Sequence, residues 1–177
     1  MIMIVSDSGN PRLEREGDEW VLVLARTLEH PVGEVWSALT QADRLAAWGP
    51  FRTDRDLTAA GAVQLAPIGV PEEDWKPGEV LQVDAPHLLV FRWGDDILRW
   101  ELSADEERTV LVLRHRFADR KQSPSYAAGW HLCLSGLAGL LDGREMPSMA
   151  GLNAYNYGYD EWYTRYARQL GIETNGE

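Results

Sequence analysis

The stretch SPSYAAGWHLCLSGLAGLLD, Ser123–Asp142, constrains this chain more than any other. Tyr126, Trp130, Cys133, Leu134, Leu137, Leu140 and Leu141 recur at three- and four-residue spacing, which lays them on one helical face. Ser123 is a helix cap by residue type and Pro124 suits the first turn. Such a helix needs a sheet to cover it, and the chain before it supplies one.

Trp20–Leu28 alternates, with Trp20, Leu22, Leu24, Arg26 and Leu28 on one side, and predicts a first strand. Pro31 then opens a helix that turns Val32, Val35, Trp36 and Leu39 inward, and a second short helix runs from about Ala42 to Trp48. From Pro50 onward the period falls to two. Strands are predicted at Phe51–Leu57, Ala62–Ala66, Gly78–Val83, Leu88–Trp93, Leu98–Ser103 and Thr109–Phe117, with turns at Ala60-Gly61, Gly94-Asp95-Asp96 and Asp105–Arg108. Leu89, Phe91 and Trp93 share a phase, as do Leu98, Trp100 and Leu102, and as do Leu111, Leu113, His115 and Phe117. These sets should face the long helix, leaving Arg92, Arg99, Glu101, Arg114 and Arg116 on a solvated outer face.

The expected fold class is α+β: a curved antiparallel sheet of about seven strands wrapped around a long C-terminal helix, with two short helices after the first strand. Residues 1–17 lack a sustained period and read as a flexible leader, residues 18–143 as the domain, and residues 144–177 as an extension whose last helix is capped by Asp160 and ends before Gly171. Its stripe of Trp162, Tyr163, Tyr166, Ala167 and Leu170 either closes one end of the sheet or, with Tyr155, Tyr157 and Tyr159, forms a homodimer surface.

The formal charge of -11, from 17 basic and 28 acidic residues, repels phosphate backbones and anionic lipid surfaces, which argues against nucleic-acid and membrane partners. A single cysteine, Cys133, on an apolar helix face reads as a buried inert thiol. No signal-peptide pattern or membrane-length apolar run is present, and the reading is a cytoplasmic protein.

HPVGEVWSALTQADRLAAW (His30–Trp48) resembles the opening motif of the START-like (SRPBCC) superfamily. GEVLQVDAPHLLVFRW (Gly78–Trp93) and TVLVLRHRF (Thr109–Phe117) are similar to its middle strands, and GWHLCLSGLAGLLDG (Gly129–Gly143) to its last helix. Together they resemble the branch named for activators of Hsp90 ATPase, the AHSA1-like proteins. The resemblance implies a helix-grip fold with an apolar cavity between sheet and helix. In relatives that cavity binds lipids, polyketides or other hydrophobic molecules; some relatives cyclise or dehydrate polyketides and others are co-chaperones. A chaperone partner and polyketide-type catalysis therefore stand beside the first expectation, a small hydrophobic ligand bound without a cofactor.

The ligand-binding candidates are Trp75, Trp93, Trp100, Leu113, His115, Trp130 and Leu134. The tryptophans offer flat walls to a ligand, although large aromatics also simply fill cores. Trp75 sits in the Pro-rich loop APIGVPEEDWKPG, long enough to fold over a cavity mouth, where Glu72-Glu73-Asp74 would repel anions or merely be solvated. His115 points at the helix, where its imidazole either hydrogen-bonds a ligand or moves a proton, or else is satisfied by a neighbour. Arg26 is a second inward polar group, or reaches the sheet edge and a carboxylate. His30, His87, His115 and His131 lack metal-ligand spacing, so no metal is expected, and no catalytic residue is assigned. The glycines of GLAGLLDG are read as permitting close packing against the sheet.

Overall fold

The computed structural model describes residues 11–69 and 74–173. Residues 1–10 of the expected leader, and Glu72 and Glu73 of the acidic run, lie outside the described residues.

Period-two alternation produces an eight-stranded antiparallel sheet curled into a half-barrel. Its strands are Arg12–Glu16 (β1), Glu19–Leu28 (β2), Phe51–Thr53 (β3), Gly61–Pro67 (β4), Lys76–Asp84 (β5), Leu88–Trp93 (β6), Asp96–Asp105 (β7) and Arg108–Phe117 (β8). The order across the sheet is β1-β2-β8-β7-β6-β5-β4-β3. Val32–Thr40 (α1) and Ala42–Trp48 (α2) follow β2, Ser123–Leu141 (α3) fills the concave face, and Tyr159–Leu170 (α4) packs on α3. The arrangement is the expected helix grip with one more strand.

The additional strand is β1, inside the expected leader. Its sequence RLERE carries one apolar residue, so it has no legible alternation; it is held by the backbone ladder to β2 and by cross-strand charge. Glu14 reaches Arg114 at 3.5 Å and Glu16 reaches Arg116 at 3.4 Å. In the other direction the predicted strand Phe51–Leu57 shortens to Phe51–Thr53. Beyond Thr53 the Asp54 N–H donates to the Gln64 carbonyl while its carboxylate accepts from the Gln64 N–H. The backbone loops from Arg55, whose side chain donates to the carbonyls of Asp56, Ala59, Gly61 and Ala62.

The inward sets lie where alternation puts them. Leu89, Phe91, Leu98, Trp100, Leu102, Leu111, Leu113, His115 and Phe117 are all buried against α3 and the short helices. Each fully buried aliphatic or aromatic side chain contributes about 1.5–3 kcal/mol relative to exposure, so this face holds the sheet on the helix. Trp48, Trp100 and Trp130 run through the centre edge-to-face, with centroids 5.9 and 5.4 Å apart.

Two helix starts differ from the sequence expectation. Ser123 is the first residue of α3 and its hydroxyl donates to the Arg120 carbonyl; the cap is Asp119, whose carboxylate accepts from the Lys121 N–H of a preceding 3-10 turn at Arg120–Gln122. Asp160 likewise falls inside the first turn of α4, where Gly158 at φ +88° takes the capping position and only glycine adopts that geometry cheaply. Among the α3 glycines, Gly136 lies over Trp48, while a Cβ on Gly139 would collide with Met146. The close approach at Gly139 is therefore to the C-terminal segment and not to the sheet.

Candidate functional site

His115 is 1% exposed, and both of its ring nitrogens are engaged. The Trp130 indole N–H donates to Nδ1 at 3.0 Å, which requires the proton on Nε2, and Nε2 donates to the Asp96 carboxylate at 2.7 Å. Tyr126 stacks on the imidazole with centroids 4.3 Å apart. Its phenol also hydrogen-bonds Asp96, and burial followed by that carboxylate raises its pKa. The alternation of β8 places the histidine inward; Asp96 comes from the first residue of β7, after a two-residue turn with Gly94 at φ +62°.

Beside this network the half-barrel leaves a cleft of about 190 Å³. Trp93 and His115 come from the sheet, Tyr126, Gly129, Trp130 and Cys133 from α3, and Met149, Ala150 and Ala154 from the segment after it. The lining is mainly apolar, with one polar pair: the Ser125 and Tyr159 hydroxyls are 2.6 Å apart. Burial raises the Tyr159 pKa, a shift opposed in part by the bond to Ser125, so the phenol stays protonated at neutral pH. Burial also pushes the Cys133 thiol up to about 12, which leaves it without a thiolate for nucleophilic chemistry.

The sequence candidates are thus divided by the fold. Trp93, His115 and Trp130 meet at the cleft. Trp100, Leu113 and Leu134 are enclosed in the core, and Trp75 lies apart from the cleft with the Arg52 guanidinium over its ring at 5.5 Å. Ser125, Tyr126, Gly129 and Tyr159 were not marked as site residues by the sequence. The Ser125–Tyr159 pair spans 34 residues, and helical periodicity marks neither as facing a cavity.

Arg26 is inward as its phase requires and is 1% exposed, yet it meets no carboxylate among the described residues. It lies 3.4 Å from His131 Nδ1 through Nη2, hydrogen-bonds the Tyr166 hydroxyl, and donates to the Ala25 carbonyl; its Nε has no partner among the described residues. Tyr166 donates to the same His131 nitrogen at 2.7 Å, and Trp162 stacks on that ring at 3.6 Å. Burial, then Arg26 and Arg165, lowers the His131 pKa to about 4. This neutral imidazole is what Arg26 packs against, and the cluster fastens α4 to α3 and β2.

A second concavity, of about 540 Å³, lies on the outer sheet face among Arg15, Arg92, Arg99, Arg114 and Arg116. Its arginines are already held: Arg92 by Glu79, Arg99 and Arg114 by Glu101, Arg116 by Glu16 and Glu19, and Arg15 by the Gly17 carbonyl. This is the expected solvated outer face. Among the described residues no His, Cys, Asp and Glu cluster suits a metal, and no helix is long and apolar enough to cross a membrane.

A model of the family described as activator of Hsp90 ATPase homolog 1-like protein matches residues 29–142, the span that contains both short helices, most of the sheet and α3. The chain belongs to the AHSA1-like family. Solved structures similar to this AHSA1-like chain include EF2215 from Enterococcus faecalis, a conserved protein of unknown function, at 15% identity over 96% of this chain and 95% of that one, with a TM-score of 0.74. CalU16 from Micromonospora echinospora is similar at 19% identity over 91% of this chain and 97% of that one, with a TM-score of 0.68. DynU16, a protein of the dynemicin biosynthetic locus, is similar at 23% identity over 77% of this chain and 52% of that one, with a TM-score of 0.63. At these identities the likeness is one of fold. No curated protein matches the chain. The cleft of this AHSA1-like domain has its inner walls within the matched span, while Met149, Ala150, Ala154 and Tyr159 lie beyond it.

Proposed function

We propose that this AHSA1-like protein binds a small, mainly apolar molecule in the cleft between β6, β8, α3 and the segment that carries Met149 and Ala150. The observation that carries this reading is the aromatic-walled space beside His115, at the point where the sheet grips α3. Trp93 and Trp130 supply ring faces, and the affinity comes from apolar burial. His115 sets the position of Trp130 through their hydrogen bond; with both nitrogens occupied it is a wall of the site and not the ligand's hydrogen-bond partner. Trp100, Leu113 and Leu134 support that wall from the core side.

The test is native mass spectrometry on freshly purified protein, with extraction of any retained molecule, run on wild type and on Gly129→Leu. Gly129 lines the cleft and a Cβ there meets no heavy atom within 4 Å, so leucine enters the empty space and improves the helix by about 1 kcal/mol. A retained mass in wild type that is absent from the variant supports the reading. A retained mass present equally in both places the ligand elsewhere.

A further inference from the structure

Given the ligand-binding reading of the cleft, on which the present inference rests, its walls specify more than hydrophobicity. The first constraint is size. Ligand pockets usually measure roughly 300–1,000 Å³, whereas an apolar cavity of about 150 Å³ takes benzene. The cleft is open on one side, and the space of about 190 Å³ within its walls suits one aromatic ring with a short substituent.

The second constraint is charge. Among the described residues no lysine or arginine lines the cleft, and the imidazole of His115 there has no free donor. A carboxylate or phosphate placed in it would be stripped of water with no counter-charge, which costs several kcal/mol. The third is polarity. In the Ser125–Tyr159 pair one hydroxyl donates to the other, which leaves the accepting hydroxyl with its own proton to give. That proton calls for an oxygen acceptor on the ligand.

The fourth is the floor. Glycine inside a helix costs about 1 kcal/mol against alanine; at Gly139 a Cβ would collide with Met146, and at Gly136 it would sit in ordinary contact with Trp48. At Gly129 nothing crowds it, so the missing side chain serves only to keep the cleft open. The outer wall, from Met149 to Tyr159, lies beyond the family-matched span and limits the length of what the cleft can hold.

We infer that the cleft selects a neutral single-ring aromatic bearing one oxygen acceptor, such as an aryl ketone or aldehyde, with Gly129 and the Met149–Tyr159 segment as its size-determining elements and the Ser125–Tyr159 pair as its polar anchor.

The experiment titrates the full chain with acetophenone, with benzoate as a charged ligand of the same shape, and with benzanthrone, a neutral ketone on four fused rings. The Trp93 and Trp130 indole N–H resonances report occupancy. Saturable shifts with acetophenone are expected, with benzoate and benzanthrone weaker by roughly tenfold or more. Gly129→Leu should abolish the acetophenone shifts, and the double variant Ser125→Ala/Tyr159→Phe should weaken them several-fold while leaving benzene binding unchanged. Benzanthrone binding as tightly as acetophenone overturns the size limit and leaves the ligand-binding reading standing; equal binding of benzoate overturns neutrality in the same way. If none of the three binds wild type while its indole resonances show a folded protein, the inference falls, and the proposed function then rests on the mass-spectrometric comparison of wild type with Gly129→Leu alone.

Discussion

At the scale of single residues, His115 separates a structural from a ligand-contacting role. Its imidazole is the acceptor for a buried indole N–H and the donor to a carboxylate, so removing it orphans two groups of unequal exposure. Asp96 retains 22% side-chain exposure and can regain water, whereas the buried Trp130 N–H cannot. His115→Ala is accordingly expected to lower stability by about 2–4 kcal/mol, combining the lost hydrogen bonds with a cavity. Urea denaturation checks it, and a stability within about 0.5 kcal/mol of wild type would show the network to be energetically idle. The inward direction of His115 was legible from the alternation of Leu111, Leu113 and Phe117. Its partners were not, because Asp96 reads as a turn residue and Trp130 as one more apolar position on a helix.

At the scale of elements, the attachment of α4 has a built-in acid sensitivity. His131 faces Arg26 from β2, and Arg165, Tyr166 and Trp162 from α4; no carboxylate faces it among the described residues. In the unfolded chain His131 takes its proton near 6.5, and in the fold only near 4. Between those values the unfolded state binds more protons, so stability falls as the pH drops from about 6.5 to about 4 and is unaffected by this group above that window. The displacement corresponds to roughly 2–3 kcal/mol. Carboxylates titrate in part of the same range, so the measurement is a difference: wild type should lose about that much more stability than His131→Gln over the window. Parallel profiles would contradict it.

The same scale shows where periodicity succeeds and fails as a guide. Strands β6, β7 and β8 were legible because one face is mostly apolar and the other carries arginines paired with glutamates. Strand β1 was not, since four of the residues in RLERE are charged and its place depends on partners about a hundred positions away in β8. Helix α4 was legible as a stripe. That Tyr159 would turn back to meet Ser125 required knowing how Gly158 bends the chain.

At the scale of the whole molecule, a sheet of this curvature encloses more volume than one helix fills, and this chain fills most of it with its own rings. Trp48, Trp100 and Trp130, with Phe51 against Phe91, occupy the centre, and the remainder is the cleft over Gly129. Ligand binding requires this remainder to be open. Xenon is the simplest probe of that, since an unfilled apolar space of this size takes it up without any assumption about the natural ligand. Xenon at a few bar is expected to shift the Trp93 and Trp130 indole N–H resonances of wild type and to leave those of Gly129→Leu in place. An absence of shifts in wild type, or equal shifts in both proteins, would contradict an open cleft.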